Sequence, residues 1–382
     1  MNPKALLPAA LAILSCLTAQ AGELSFKFLG DWNLPTATEK SGAPIGGLSG
    51  IVYDPARKEL LALSDNKGDR GDVRFHRFRL ILEPGKFLLR HLGHTPLRAA
   101  GGAKFPPKKL DPEGIALLGK DRLFVSSEGL QRGRKKPKTM PEIIEFSRDG
   151  RFVRALPVPR KFLPPVLGTA SYGVGRNGGF EGLTLTPDGK YLFAATERPL
   201  QQDDAAPTLE TGVNIRILRY ALEGAAAKPD REYAYRIDPL FKPEGSTTFA
   251  ALGNGVSELL ALDESRLLVL ERATSASEAG ILPRIRIYLA TITPESADIS
   301  GVESLLEKPA KPLDKKLVLD LESVRPSLDE KWRTLDNFEA MAFGPTLADG
   351  SPSLILVSDN NFRPEQRTQA LAFEILGLQP SK

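Results

Sequence analysis

Carboxylates recur in this chain at the ends of short apolar runs. Glu113, Glu181, Glu258 and Glu339 each open such a run, and Ser49 holds the same place in an earlier copy. A second set, Asp65, Glu128, Glu197, Glu271 and Asp359, closes the run that follows. Nine carboxylates gathered at one place cannot all stay charged and unpaired, because like charges raise one another's pKa. Ion pairs with Arg198, Arg272, Lys67 or Arg363 would relieve them, and so would protonation or a hard cation. Ca²⁺ takes about six to eight oxygens from carboxylates, amides and carbonyls. Asn66, Asn360 and Asn361 add neutral oxygens at the same level.

Other chemistries lack their residues. His76, His91 and His94 are the only histidines, with no second cysteine to complete a zinc site, and they read as surface residues on outer strands or loops. No Gly-x-Ser-x-Gly elbow is present; Gly46-Gly47-Leu48-Ser49-Gly50 imitates one at the start of a strand. No phosphate-binding or dinucleotide glycine motif follows a strand and opens a helix.

The elements that must position the acids are hairpins. In residues 178–198, two runs rich in Leu, Thr, Phe and Tyr flank Pro187-Asp188-Gly189, a composition suited to a tight reversal. Pairing Thr186 with Tyr191 sets Glu181 opposite Thr196, beside Glu197. Steps of 64, 68, 77 and 81 residues separate Ser49, Glu113, Glu181, Glu258 and Glu339. Common propeller repeats run to roughly 40–50 residues, and long loops account for the surplus. More polar strands follow each hairpin, at 74–80, 143–146, 215–220 and 284–288, with alternation that predicts one exposed, charged face.

This order predicts an all-β fold, a β-propeller of five recognisable four-stranded blades, with six as the alternative. The N-terminal strand at 25–29 would pair with 370–375 and close the ring, removing an open sheet edge. First strands line the channel, so Glu113, Glu181, Glu258 and Glu339 converge at one mouth. A blander reading makes the Glu-Gly repeat architectural, Glu capping backbone N–H groups and Gly permitting close approach. Residues 131–138 form a basic loop, residues 200–211 read as a polar, mobile loop, and 273–280 carries no assignment.

Residues 1–21 read as a secretory signal peptide, with Lys4, a short apolar run and an Ala-x-Ala site, leaving 22–382 as a single domain. A lipoprotein site at Cys16 is the alternative. Cys16 is the only cysteine, so the mature core must hold without disulfides. The net charge of +4 is too slight to imply nucleic acid or a membrane surface as partner.

Leu48-Ser49-Gly50-Ile51, Asp111-Pro112-Glu113-Gly114-Ile115, Gly179-Phe180-Glu181-Gly182-Leu183, Ser257-Glu258-Leu259 and Phe338-Glu339-Ala340 with Ser358-Asp359-Asn360-Asn361 together resemble the phytase-like family, labelled "esterase-like activity of phytase". The resemblance implies a secreted or periplasmic propeller hydrolysing phosphate esters, with Ca²⁺ as cofactor. The expected metal ligands are Glu113, Glu181, Glu258, Glu339, Asp65, Glu128 and Glu271. Glu181, Glu197 and Asp359 are the expected catalytic groups, and Arg198, Arg272 and Lys67 the substrate-binding ones, on a monomer acting on a small ester. A non-catalytic binding propeller and a lactonase-like carboxylic-ester hydrolase stay open.

Overall fold

The computed structural model describes residues 23–36, 38–40, 42–129, 139–165, 172–223 and 226–378. Five four-stranded antiparallel sheets stand around a ring, and the fold is a five-bladed β-propeller. Among the described residues the only helical pieces are short 3-10 turns. Blade 1 comprises Leu48–Asp54, Glu59–Ser64, Arg74–Glu83 and Lys86–Pro96; blade 2 comprises Pro112–Leu118, Arg122–Ser127, Glu142–Ser147 and Phe152–Ala155. Blade 3 is Phe180–Leu185, Tyr191–Thr196, Asn214–Glu223 and Ala226–Arg236; blade 4 is Phe249–Ala261, Arg266–Ser277, Gly280–Thr291 and Asp314–Asp320. Blade 5 takes Phe338–Phe343, Ser353–Ser358 and Arg367–Leu376, and the N-terminal strand Ser25–Pro35 completes it. That strand closes the ring.

The turns form for local reasons. At 186–191 the Asp188 carboxylate accepts from Thr186 Oγ at 2.6 Å and from the Lys190 N–H at 3.1 Å. Gly189 supplies the positive φ of 71° that the reversal needs. Packing then works between blades. Leu63, Phe75, Ile115 and Val125 join blades 1 and 2, and Phe124, Ile143, Phe180 and Leu192 join blades 2 and 3. Three further clusters join the remaining neighbours, with Phe78 against Ile355 between blades 1 and 5. Each buried Leu or Phe is worth about 1.5–3 kcal/mol, and five such seams hold the ring without a disulfide.

Glycine lets the inner strands approach. A Cβ on Gly114 would lie 2.5 Å from the Glu181 carbonyl oxygen, and one on Gly182 would lie 2.8 Å from the Leu259 nitrogen. The glycine half of the Glu-Gly repeat is therefore architectural.

Three sequence readings are corrected. The third strands do not expose all their charge: Arg74 and Arg216 are buried, because loops fold over them and supply partners. Arg74 donates to the carbonyls of Arg70, Asp72 and Pro44. Of the histidines, His91 and His94 are half-buried on the outer strand Lys86–Pro96, but His76 does not lie at the surface. His76 is fully buried, and its Nδ1 sits 3.1 Å from His91 Nε2, while Arg74 Nε donates to its Nε2 at 3.3 Å. Burial, the nearby Arg74 charge and the other two histidines push its pKa down to about 3. The segment at 200–211 is anchored at its start, with Leu200 and Asp203 buried and Asp203 bonded to Arg216, while most of 205–211 is exposed.

Residues 1–21, read from sequence as a signal peptide, and the basic run at 131–138 lie outside the described residues. No helix among the described residues is long and apolar enough to cross a membrane.

Candidate functional site

A bulge recurs at one level of every first strand. The register slips between Leu48 and Gly50, Pro112 and Ile115, Phe180 and Leu183, Val256 and Glu258, and Phe338 and Ala340. A bulge frees a residue from the ladder and re-aims its side chain. Ser49, Glu113, Glu181, Ser257 and Glu339 occupy these places. On the second strands the residue just past the last ladder pair completes the ring. Asp65, Glu128, Glu197 and Asp359 each donate their N–H to the carbonyl of Gly47, Asp111, Gly179 and Asn337 respectively. In blade 4 the equivalent residue is Arg272, opposite Gly255.

Glu258 and Glu271 therefore leave the expected ring. Ser257 and Arg272 replace them, because a one-residue slip sends a strand's side chains to the opposite face. Glu258 is buried and its Oε1 accepts from the Leu183 N–H at 2.9 Å and its neighbour Leu259 N–H at 3.0 Å. It staples blade 3 to blade 4, as the architectural reading anticipates. Glu271 is equally buried in another network: Oε1 accepts from Tyr235 Oη at 2.7 Å and Lys315 Nζ at 2.6 Å, and Oε2 accepts from the Asp238 N–H at 2.8 Å. Asn66 and Asn360 also turn inward. Asn66 caps the backbone of 70–72, and Asn360 accepts from the Gly47 and Phe362 N–H groups. Asn361 remains at the mouth.

The mouth is a cavity of about 790 Å³. Asp65, Glu113, Glu128, Glu181, Glu197, Glu339 and Asp359 all line it, with Lys67, Arg198, Arg272 and Arg363. Arg272 Nη2 meets Glu339 at 3.1 Å and Glu197 at 3.4 Å, Arg198 meets Glu197 at 3.4 Å, and Lys67 meets Asp111 at 2.5 Å. The Glu181 carboxylate takes no hydrogen bond from any described residue, and only like charges and Arg272 surround it. Burial, then the charges of Glu128, Glu197 and Glu339, hold its pKa well above the usual range. Glu113 is raised by burial and then by Glu181, Asp65 and Asp111; Glu128 by burial and then by Glu197 and Asp111. Asp359 is raised by burial and then by Glu339 and Asp65, while burial and neighbouring acids push Asp65 up to about 7 against the pull of Lys67. Burial opposes the charge of Arg272, but Glu339, Glu197 and Glu181 outweigh it and raise its pKa.

Two triads bring single oxygens together: Asp111, Glu113 and Glu128, and Glu128, Glu181 and Glu197, each set within 4.8 Å. Glu128 belongs to both. Either group could hold a metal. Asp111 is the triad member that the spacing of the acids did not single out, although it stands two residues before Glu113.

A propeller whose channel mouth is ringed by acids defines the class of this protein. Within that class the chain belongs to the phytase-like family, described as "esterase-like activity of phytase", whose profile matches residues 43–362. An uncharacterized secreted protein of Arthroderma benhamiae is 26% identical over 227 residues, covering 54% of this chain. The chain spans 42% of that relative's length. Among solved structures, an endo-arabinase from Bacteroides thetaiotaomicron is 11% identical, with 92% of this chain and 99% of that one covered and a TM-score of 0.41. A gluconolactonase from Xanthomonas campestris is 12% identical, with 93% and 99% covered and a TM-score of 0.32.

Proposed function

We propose that the protein is an exported, monomeric hydrolase of small phosphate esters that holds Ca²⁺ in its acidic mouth. The observation that carries this reading is the excess of carboxylate over cation in one cavity, organised as two triads sharing Glu128. The donor set suits the ion. Every triad ligand is a carboxylate oxygen, which favours a hard cation over zinc or copper, and burial with neighbouring like charge raises the pKa values of Glu113, Glu128 and Glu181, a cost that a bound cation would relieve. Asp111, Glu113 and Glu128 would hold one ion, and Glu128, Glu181 and Glu197 a second. Bound there, the ion would neutralise phosphate charge and favour attack by water.

The chain's own groups supply the rest. Arg198 is exposed at the lip, and its guanidinium can take substrate oxygens in bidentate fashion. Arg272 sits deeper and aligns Glu197 and Glu339. Asp359 borders Glu339; burial and that neighbour favour its protonated form, and only once ionised would it accept a proton from water in the cavity. Lys67 is committed to Asp111 and acts by holding that carboxylate in place.

Hydrolysis of p-nitrophenyl phosphate and phytate, with and without EGTA, tests the proposal. Activity lost on chelation and restored by Ca²⁺ supports it; activity indifferent to EGTA removes the metal. The family description favours one further substrate, so p-nitrophenyl acetate belongs in the same panel. Turnover of the acetate alone would point to a carboxylic-ester hydrolase. Calcium binding with no turnover would leave a binding propeller.

A further inference from the structure

Blade 4 departs from its neighbours at the mouth. Its first three strands are 13, 12 and 12 residues long, whereas the first strand of every other blade has six or seven. The extra length continues past Arg272, pairing 249–254 with 273–277 and 273–277 with 280–284. It forms a three-stranded flap along one side of the cavity.

This flap presents apolar surface to a polar site. Leu252 sits at a bulge between Ala251 and Gly253, a device that turns a side chain out of the ladder. Leu252 and Ile281 both line the cavity, 56% and 65% exposed, with Pro283 beside them. Arg198 runs along the same wall; a Cβ on Gly253 would stand 3.9 Å from its Nη2. One cavity thus has an acidic floor, a guanidinium at its lip and an aliphatic side wall.

We infer that the substrate is amphipathic, an ester of an aryl or alkyl alcohol, its apolar group lying on Leu252, Ile281 and Pro283 while its anionic group meets Arg198 and Arg272. The inference rests on the phosphate-ester reading above. A polyol phosphorylated at every carbon would set charge against this wall and gain nothing from its burial.

The test compares 1-naphthyl phosphate with glycerol 2-phosphate on the wild type and on Leu252→Ser combined with Ile281→Ser. The wild type is expected to prefer the naphthyl ester, and the double variant to lower the ratio of the two kcat/KM values by about 10- to 100-fold. Leu252→Met with Ile281→Leu should keep that ratio. Because both side chains are exposed, the melting temperature should hold in every variant. Calorimetric titration with 1-naphthyl phosphate and with inorganic phosphate gives a readout independent of turnover. Weaker naphthyl binding in the Ser variant, with phosphate binding retained, supports the wall even if no ester is cleaved, in which case only the hydrolase reading falls. Hydrolysis with an unchanged ratio overturns the wall and leaves the hydrolase standing. A wild type that prefers glycerol 2-phosphate, or that binds neither probe, also overturns it.

Discussion

Two clusters of buried charge answer different demands. Beside blade 3, Arg216 bonds Asp203 at 2.6 and 2.8 Å and Glu232 at 2.9 Å, and donates to the Val302 carbonyl. Lys161 lies 3.5 Å from Glu232 and donates to the Val302 carbonyl at 3.0 Å. Two cations meet two anions, and backbone carbonyls take the remaining donors. This network pins the segment around 299–303 against blade 3. At the channel mouth the count does not balance. Nine carboxylates line the cavity against five Lys and Arg side chains, Arg272 reaches two of the acids, and Glu181 has no hydrogen bond from a described residue. Balanced burial is architecture. A one-sided excess is what a site for an incoming cation looks like, and perturbed carboxylates cluster where function needs them.

The contrast can be broken most sharply at Arg216. Arg216→Met strands Asp203 without its counter-charge, leaves Glu232 only Lys161, and should cost about 3–5 kcal/mol in urea unfolding. Glu181→Gln should leave the calcium-free protein as stable as before, or more so, since it removes repulsion from Glu128, Glu197 and Glu339 and breaks no hydrogen bond among the described residues. Comparable losses in both variants would erase the distinction.

Calcium gives the next effect. A cation bound only by the folded chain, at a free concentration a hundred times its Kd, adds about 2.7 kcal/mol per site. Glu128→Gln touches both triads and should shrink that gain for both, read as the shift in calorimetric melting between EGTA and millimolar Ca²⁺. A full shift in this variant would exclude the triads as ligands.

The pH dependence sharpens the same point. Glu113, Glu128, Glu181 and Asp359 have folded pKa values above their unfolded ones, and Asp65 reaches about 7. Raised acids favour the calcium-free fold at low pH, and that stability is lost as pH climbs through the unfolded and then the folded values. His76 has the opposite sign: with its pKa down near 3, it costs stability as pH falls below the unfolded value. The useful quantity is therefore the calcium-induced shift, which should be larger at pH 8 than at pH 5. Equal shifts at both would detach the ion from these acids.

The smallest effect belongs to Glu258. Glu258→Gln keeps the acceptor for Leu183 and Leu259, so stability should change by no more than about 1 kcal/mol, with calcium affinity intact. Weakened calcium binding would return Glu258 to the ring.

Alternation, turn chemistry and repetition made the propeller legible in the sequence, together with its closure by an N-terminal strand at 25–29, which the structure extends to Pro35, and the placing of Glu113, Glu181 and Glu339 at one mouth. These are local features, since period-two patterning and Pro-Asp-Gly reversals act over a few residues. The ring's membership in blade 4 was not local. Ser257 and Glu258 are both polar, as are Glu271 and Arg272, so alternation reads the same in either register, and only the bulge at 256–258 decides which side chain faces the channel. Burial of charge was equally out of reach. Arg216 looks like any outer-strand arginine until Asp203, Glu232 and the 302–303 backbone close around it, and His76 looks exposed until Arg74 and His91 do the same. Residues 273–280 gave no sign of a flap, because small polar residues promise neither strand nor wall until 249–254 and 280–284 pair on either side. The sequence set which strands form; the meeting of distant strands set which charges are cancelled and which are left for a ligand.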